Sequence, residues 1–279
     1  MKDLLVSVPH HSGVVPFEVL VAMLGDAAFD PDAAAARRAA MVREGDPYTD
    51  QLFALPGARF VTATVSRFVV DLNRDRDDRS ANGVVKRTDF AERPLYPPGG
   101  EPSDADVEAR LRRFYDPYHA ALDAEIARAR PRLVVDAHAM TGAGPALGPD
   151  AGAPRPAAAL ITGGDRDGEP TDTPVSLPPG VARALAAALE AALAARLPLG
   201  VDGTPSGVTI NDPFVRGGIQ HRLGADPAGP RVPTVGIEIN RLLFETDAGA
   251  PRPDRIAAIR AAVGEALEAV RSDLPAATG

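Results

Sequence analysis

Short apolar segments alternate with longer amphipathic segments along this chain of 279 residues, and the alternation limits the folds it can adopt. The apolar segments have the length and β-branched content of buried strands and lie at 3–9, 59–71, 132–136, 157–162 and 234–239, of which 59–71 is predicted to form one or two strands. The amphipathic segments have the period of helices and lie at 16–28, 47–54, 103–129, 179–197 and 253–274. Strands that alternate with helices predict an α/β fold, with a mixed, largely parallel sheet and helices on both of its faces.

In such a sheet, ligands bind at the carboxyl ends of the strands, so the residues after each predicted strand are candidates for a functional site. The chain has no cysteine, which excludes disulfides, thiolate zinc sites and a cysteine nucleophile. It also lacks the Gly-x-Ser-x-Gly elbow, the Walker phosphate loop and the Gly-x-Gly-x-x-Gly turn, which argues against a serine hydrolase, a nucleotidase and a dehydrogenase. Histidine, aspartate and glutamate remain as ligands for a hard metal ion.

Acidic side chains outnumber basic ones by 38 to 30, which gives a formal net charge of −8. Neither nucleic acid nor an anionic membrane surface is therefore expected as a partner. No window approaches the roughly 20 apolar residues of a membrane span, and the apolar segment 1–8 is too brief for a signal peptide. We expect a cytoplasmic protein with a small-molecule or protein partner, and the oligomeric state stays open.

Three of the five histidines lie at the ends of predicted strands. His10 and His11 close the first strand, and His138 follows the segment 132–136. Neutral imidazole is the commonest metal-binding side chain, and a catalytic zinc ion takes three protein ligands and keeps a fourth position open. Side chains alternate along a strand, so His10 and His11 cannot both face one ion. The pattern favours a metal site that still needs a carboxylate ligand.

Asp46 and Asp50 are the candidates for that carboxylate. They are four residues apart, so on one helical turn both would point the same way. Asp46 also precedes Pro47, an arrangement typical of a helix N-cap followed by proline at the first helical position. Helix capping and metal ligation both remain open for Asp46.

Charged residues mark two further predicted strands. Arg67, Asn73 and Arg74 lie at or beyond the end of one of them, and guanidinium groups bind carboxylates through a bidentate fork, which favours an anionic substrate. A surface ion pair is the alternative. Glu238 lies in the middle of an apolar strand, where an unpaired carboxylate is costly to bury. It needs a cationic partner, for which Arg241 is a candidate, or a role as a general base.

Seven blocks, taken in order along the chain, resemble the N-formylglutamate amidohydrolase family, a relative of the zinc carboxypeptidases and aspartoacylases. The blocks are Val8-Pro9-His10-His11-Ser12-Gly13, Asp46-x-x-x-Asp50-x-Leu52-Phe53, Ser66-Arg67-Phe68-Val69-Val70-Asp71-Leu72-Asn73-Arg74, Tyr115-Asp116-Pro117-Tyr118-His119, Asp136-Ala137-His138, Arg216-Gly217-Gly218 and Ile237-Glu238. The Ser-Arg-Phe-x-x-Asp-x-Asn-Arg block is the specific one. The resemblance implies that residues 1–279 form one domain of this family with a zinc-carboxypeptidase-like fold.

The resemblance also implies a zinc-dependent hydrolase that cleaves the amide bond of an N-acylated acidic amino acid, such as N-formyl-L-glutamate. One zinc ion would be held by His10, by His138 and by a carboxylate, for which Asp46 is preferred to Asp50. Glu238 would be the general base of the reaction. Two other functions remain open: a zinc peptidase or deacylase that acts on another N-acyl compound, and a metal-free binding domain of the same fold.

The remaining site residues implied by the resemblance contact the substrate or support the metal. Asn73 and Arg74 would hold a substrate carboxylate, with Arg222 as a further substrate-binding residue. Arg67 would act in catalysis at the carbonyl oxygen or bind a second carboxylate. Asp136 precedes His138 by two residues and would therefore lie on the same side of the strand, where it would orient the imidazole ring.

Overall fold

The computed structural model describes residues 1–148 and 150–275. Its strands are β1 (Leu4–Val8), β2 (Arg59–Thr62), β3 (Leu133–Met140), β4 (Ala158–Ile161), β5 (Val208–Ile210) and β6 (Thr234–Asn240). They form one sheet in the order β2-β1-β3-β6-β4-β5. β2, β1, β3 and β6 are parallel to one another, whereas β4 is antiparallel to β6 and parallel to β5. The predicted mixed, largely parallel sheet is confirmed.

The helices lie in the segments between successive strands and after the last strand. They are α1 (Phe17–Leu24), α2 (Pro31–Glu44), α3 (Thr49–Leu52), α4 (Asp104–Arg110), α5 (Asp116–Ala129), α6 (Pro179–Ala194), α7 (Gly218–Gln220) and α8 (Pro253–Ala269). A capping box begins α4, because Ser103 and Asp106 each accept a hydrogen bond from the other's backbone N–H. Within the described residues, no helix is both long and apolar enough to cross a membrane.

Separate groups of helices cover the two faces of the sheet. α6 and α8 pack on one face, against strand residues that include Val6, Val135 and Ile237. α1, α4 and α5 cover the other face, where they share a core with Leu5 and Val134. Neighbouring strand residues belong to different cores because side chains alternate along a strand. Helices on both faces of the sheet are therefore confirmed as well.

The same alternation separates packing from chemistry at the carboxyl ends of the strands. On β3, the apolar side chains that alternate with Asp136 and His138 pack against α6 and α8, so these two polar residues face the opposite side. β6 pairs with β3 in a register that puts Glu238 opposite His138. His10 lies two residues beyond β1, which is the neighbour of β3 on its other side. Residues from three parallel strands thus meet at one edge of the sheet.

Some predicted element bounds were wrong. The segment 59–71 forms a strand only over β2, after which Ser66 begins a turn by accepting a hydrogen bond from the N–H of Val69. The apolar residues after β2 are buried in the core that α1, α4 and α5 share, although they do not lie in a strand. The helix predicted at 47–54 begins at Thr49. α2 and β5 were not predicted; α2 buries only Ala34 and Met41, so it carries almost no apolar stripe.

Candidate metal centre

Two imidazoles and one carboxylate converge at the carboxyl edge of the sheet. The distance from His10 Nδ1 to Asp46 Oδ2 is 3.3 Å, and that from His138 Nδ1 to the same oxygen is 2.9 Å. Each of the three residues offers one ligand atom within 4.8 Å of the other two. All three side chains are buried. Two histidines and one carboxylate form a donor set that catalytic zinc sites use.

Each imidazole also contacts a second carboxylate through Nε2, the ring nitrogen that does not face Asp46. His10 Nε2 lies 2.8 Å from Asp71 Oδ1, and His138 Nε2 lies 2.9 Å from Asp136 Oδ2. An imidazole that donates its Nε2–H to a carboxylate presents the lone pair of Nδ1. In that tautomer, His10 Nδ1, His138 Nδ1 and Asp46 Oδ2 are three acceptor atoms that face one another, and a bound cation relieves their repulsion, as a proton on His138 does when no cation is bound. The predicted contact between Asp136 and His138 is present.

The charges around this cluster also suit a divalent cation. The carboxylates are those of Asp46, Asp71, Asp136 and Glu238, and the cations are Arg67 and Lys86. When both imidazoles are neutral ligands and Glu238 is ionised, two negative charges are left uncompensated, which matches the charge of one divalent ion; without the ion, a proton on His138 compensates part of this charge. Burial alone would lower the pKa of His138, but the charge of Asp136 and hydrogen bonds to Asp136 and Asp46 raise that pKa well above its usual value. The residues therefore fit a metal ion.

Asp46 reaches the cluster and does not cap a helix. α3 has Tyr48 at its N-cap, and Asp46 contributes to α3 only a backbone carbonyl, which accepts from Thr49 Oγ1 at 2.8 Å. Asp46 Oδ1 accepts from Arg67 Nη1 at 3.2 Å, while Oδ2 faces the two histidines. Asp50 is exposed and lies outside the cluster. The interpretation of Asp46 as a helix cap is therefore wrong.

Glu238 lies opposite His138 in the neighbouring strand, and no ion pair to it occurs within residues 1–148 and 150–275. Arg241, the partner that the sequence suggested, donates instead to Glu245 Oε2 at 2.9 Å. Burial raises the pKa of Glu238 to about 7, with His138 opposing the shift and Asp46 adding to it. A carboxylate with a pKa near neutrality can accept and release a proton at physiological pH, as a general base must.

Arg67 binds two of the buried carboxylates. Its Nε and Nη2 donate to Asp71 Oδ2 at 3.2 and 2.9 Å, and its Nη1 donates to Asp46 Oδ1 at 3.2 Å. The guanidinium carbon lies 5.0 Å from the centroid of the Phe90 ring. Arg67 thus joins the carboxylate of the cluster to the carboxylate behind His10. Its catalytic role stays a prediction.

Arg74 and Arg222 line one cavity of about 510 Å³. Asn73 lies between Arg74 and the cluster: its Nδ2 is 3.1 Å from His138 Nε2, and its Oδ1 accepts from a backbone N–H of α7. Arg222 Nη1 donates to Asp123 at 3.0 Å, whereas its buried Nε and Nη2 lack partners in the described part of the chain. Arg74 and Arg222 thus share a cavity whose described lining includes none of the cluster residues, and Asn73 is the predicted substrate-binding residue that contacts the cluster. The role of all three residues stays a prediction.

Apart from Asp136, sequence reasoning missed the residues that support the cluster. Asp71 is one of them, although it stands inside the most specific block of the sequence, between two residues that received roles. Ser7 is another: its Oγ donates to Asp136 Oδ1 at 2.9 Å and lies 2.9 Å from the Tyr118 hydroxyl. The available signal for Ser7 was its position as a polar residue within an apolar strand.

Comparisons with known proteins agree with the motifs. A family model for N-formylglutamate amidohydrolase matches residues 2–245. An N-formylglutamate deformylase from Pseudomonas putida is 37% identical over 93 residues, which are 30% of this chain and 35% of that protein. An N-formylglutamate deformylase from Pseudomonas aeruginosa is 33% identical over 120 residues, which are 37% of this chain and 45% of that protein. The chain spans less than half the length of these two relatives.

Two crystal structures share the fold. N-formylglutamate amidohydrolase from Ralstonia eutropha JMP134 superposes with a TM-score of 0.64 at 22% identity and covers 98% of this chain and 95% of its own. Gene product Atu2144 from Agrobacterium tumefaciens superposes with a TM-score of 0.61 at 20% identity, over 97% and 91% of the two chains. The family model covers most of the sequence, and the chain therefore belongs to the N-formylglutamate amidohydrolase family.

Proposed function

We propose that this protein is a zinc-dependent amidohydrolase that cleaves the amide bond of an N-acylated acidic amino acid, with N-formylglutamate as the expected substrate. The observation that carries the proposal is the buried convergence of His10, Asp46 and His138 beside Glu238. The two Pseudomonas relatives that carry the name N-formylglutamate deformylase support the choice of substrate.

His10, Asp46 and His138 would hold the ion. When bound, zinc supplies Lewis acidity, which polarises an amide carbonyl and lowers the pKa of water toward about 7. Asp71 and Asp136 keep the two imidazoles in the orientation that presents Nδ1 to the ion. The protein thereby fixes the ligand geometry before the substrate arrives.

Glu238 would move the proton of the reaction. Its carboxylate takes a proton from the attacking water and delivers it to the nitrogen of the leaving amine, while the carbon–oxygen bond forms and the carbon–nitrogen bond breaks. Arg67 uses three of its five N–H groups on Asp46 and Asp71, so two remain for the carbonyl oxygen of the substrate. One well-placed donor of this kind contributes on the order of 3 kcal/mol to catalysis.

Arg74 and Arg222 would bind the carboxylates of the substrate from the wall of the cavity they share. Arg74 is half-buried and forms no ion pair with any residue that the structure describes. A guanidinium group without a protein partner is suited to a carboxylate ligand. Asn73 would complete this binding region beside His138.

Removal of the metal is expected to abolish hydrolysis of N-formyl-L-glutamate, and one equivalent of zinc should restore it, because the ion supplies the Lewis acid. The test measures zinc content and turnover before and after dialysis against a chelator. N-acetyl amino acids and dipeptides in the same assay separate a deformylase from another deacylase or a peptidase. Full activity of the metal-free protein would contradict the proposal, and a protein that binds zinc and hydrolyses none of these compounds would be a binding domain.

Replacing Arg74 with alanine should raise KM for N-formyl-L-glutamate about 10- to 100-fold, because one charged hydrogen-bonding partner of the substrate is lost. The value of kcat should change little, and hydrolysis of an N-formylated neutral amino acid should be almost unaffected. The matched control is Arg79→Ala, because Arg79 is exposed in the same loop and pairs with Glu108 outside the cavity. An equal loss for acidic and neutral substrates would show that Arg74 has no part in carboxylate binding.

A further inference from the structure

One lysine is buried next to the candidate metal centre. The chain contains only two lysines, Lys2 and Lys86. Lys2 is exposed, whereas the side chain of Lys86 has no exposed surface at all. A fully buried ammonium group is rare, because its transfer from water is costly unless hydrogen bonds and an opposite charge compensate it. The position of Lys86 therefore calls for a specific partner.

The ammonium group of Lys86 has such partners for each of its three N–H donors. It lies 3.0 Å from Asp71 Oδ2, 2.6 Å from Asn82 Oδ1 and 3.2 Å from the carbonyl oxygen of Asn82. Burial lowers the pKa of Lys86 to about 8, with the charge of Asp71 opposing the shift. The group is thus mainly charged at neutral pH, and its hydrogen bonds fix its position.

The partner of Lys86 is the carboxylate that holds His10. Asp71 Oδ1 faces His10 Nε2 at 2.8 Å and accepts from the N–H of Asn73, while Oδ2 receives Lys86 and Arg67. The two oxygens of Asp71 therefore contact different partners, and rotation of the carboxylate would break the contacts of both oxygens. Among the described residues, the other imidazole has no such cation: Asp136 contacts His138 and accepts a hydrogen bond from the Ser7 hydroxyl, and no lysine or arginine pairs with it there.

We propose that Lys86 is a positioning residue of the metal centre, which acts through Asp71 on His10. It fixes Asp71 in the orientation in which Oδ1 accepts the Nε2–H of His10, so that Nδ1 of His10 faces the metal position. The inference rests on the proposed metal centre, because it concerns the residues behind one ligand of that centre. Residues that support a ligand in this way typically change metal affinity by about 10- to 100-fold when they are replaced.

A direct test is possible because the chain has only two lysines, of which Lys86 alone is buried. Protein labelled with ¹⁵N-lysine should give one ammonium signal from Lys86, because burial slows its proton exchange, and the variant Lys86→Met assigns it. One equivalent of zinc should shift this signal in the unmodified protein. In Asp71→Asn, zinc at a saturating concentration should leave the signal almost unmoved. If the Lys86 signal did not shift when one equivalent of zinc binds, the inference would be overturned.

A second test measures zinc affinity by competition with a chelator. Lys86→Met should weaken zinc binding about tenfold, whereas loss of a positive charge alone would tighten the binding of a cation. In the Asp71→Asn background, the same substitution should change the affinity less than twofold, since residues that act through one partner are not additive. The control is Lys2→Met, which should bind zinc as the unmodified protein does.

The two tests separate this inference from the proposed function. Absence of zinc binding by the unmodified protein would contradict the metal centre itself. Normal zinc binding together with an additive effect of Lys86→Met and Asp71→Asn would overturn only the role of Lys86. If Lys86→Met does not fold, Asn82→Ala keeps the charge and removes one acceptor, and it should still weaken zinc binding about threefold if Lys86 acts as proposed; an unchanged affinity in Asn82→Ala would contradict the role of Lys86.

Discussion

The variant His10→Ala should lose stoichiometric zinc binding, and its kcat/KM should fall at least about a thousandfold, because the metal contributes several kcal/mol to catalysis. Only Asp46 and His138 would remain as ligands, and two side chains do not hold a catalytic zinc ion. The substitution also leaves Asp71 Oδ1 without the imidazole that it faces at 2.8 Å. Elemental analysis of the dialysed protein measures the zinc content, and circular dichroism checks that the variant is folded.

The chain offers a matched control one residue away. His11 is half-buried, its Nδ1 has no partner within the described residues, and it lies outside the cluster. His11→Ala removes the same side chain from the same segment and should keep full zinc content and activity within about threefold, as expected of a residue that makes no such contact. If His11→Ala lost the metal and His10→Ala kept it, the assignment of the ligands would be reversed.

The residues on regular strands are the part of the site that the sequence could predict. His138 and Glu238 lie on strands whose apolar neighbours alternate with them, so their side of the sheet follows from the period of two. His10 lies close after a strand of the same parallel set, and the carboxyl ends of parallel strands meet at one edge. The alternation of apolar and polar residues and the strand topology were therefore sufficient to predict where these residues lie in the sheet.

The residues on irregular segments could not be placed in this way. Proline after aspartate, as in Asp46-Pro47, is typical of a helix start. Tyr48, however, adopts a left-handed backbone conformation with φ of 64°, so no helix begins at Pro47 and α3 begins only at Thr49. This turn sends the Asp46 side chain toward the histidines and leaves Asp50 in solvent. The contacts of Arg67 with Asp46 and of Lys86 with Asp71 likewise depend on how loops fold back over one another, which no short sequence pattern encodes.

The variant Glu238→Gln should retain zinc while kcat falls by about 10² to 10⁴, because the amide has nearly the same shape as the carboxylate but cannot accept the proton of the attacking water. Glu238 is outside the group of three converging ligand atoms, so metal binding should survive its neutralisation. Turnover of N-formyl-L-glutamate at saturating substrate gives kcat, and elemental analysis of the same sample gives the zinc content.

Glu245→Gln is the matched control for this experiment. Burial raises the pKa of Glu245 as it does that of Glu238, but Glu245 accepts from Arg241 Nε at 2.9 Å, and a glutamine oxygen can accept the same hydrogen bond. Its kcat should stay within about threefold, because the group it loses never touches the reacting atoms. A kcat of Glu238→Gln within tenfold of the unmodified protein would mean that another group takes the proton. Loss of zinc from Glu238→Gln would instead favour Glu238 as a ligand, because a carboxylate that binds the ion directly loses most of its affinity for the ion when it becomes an amide.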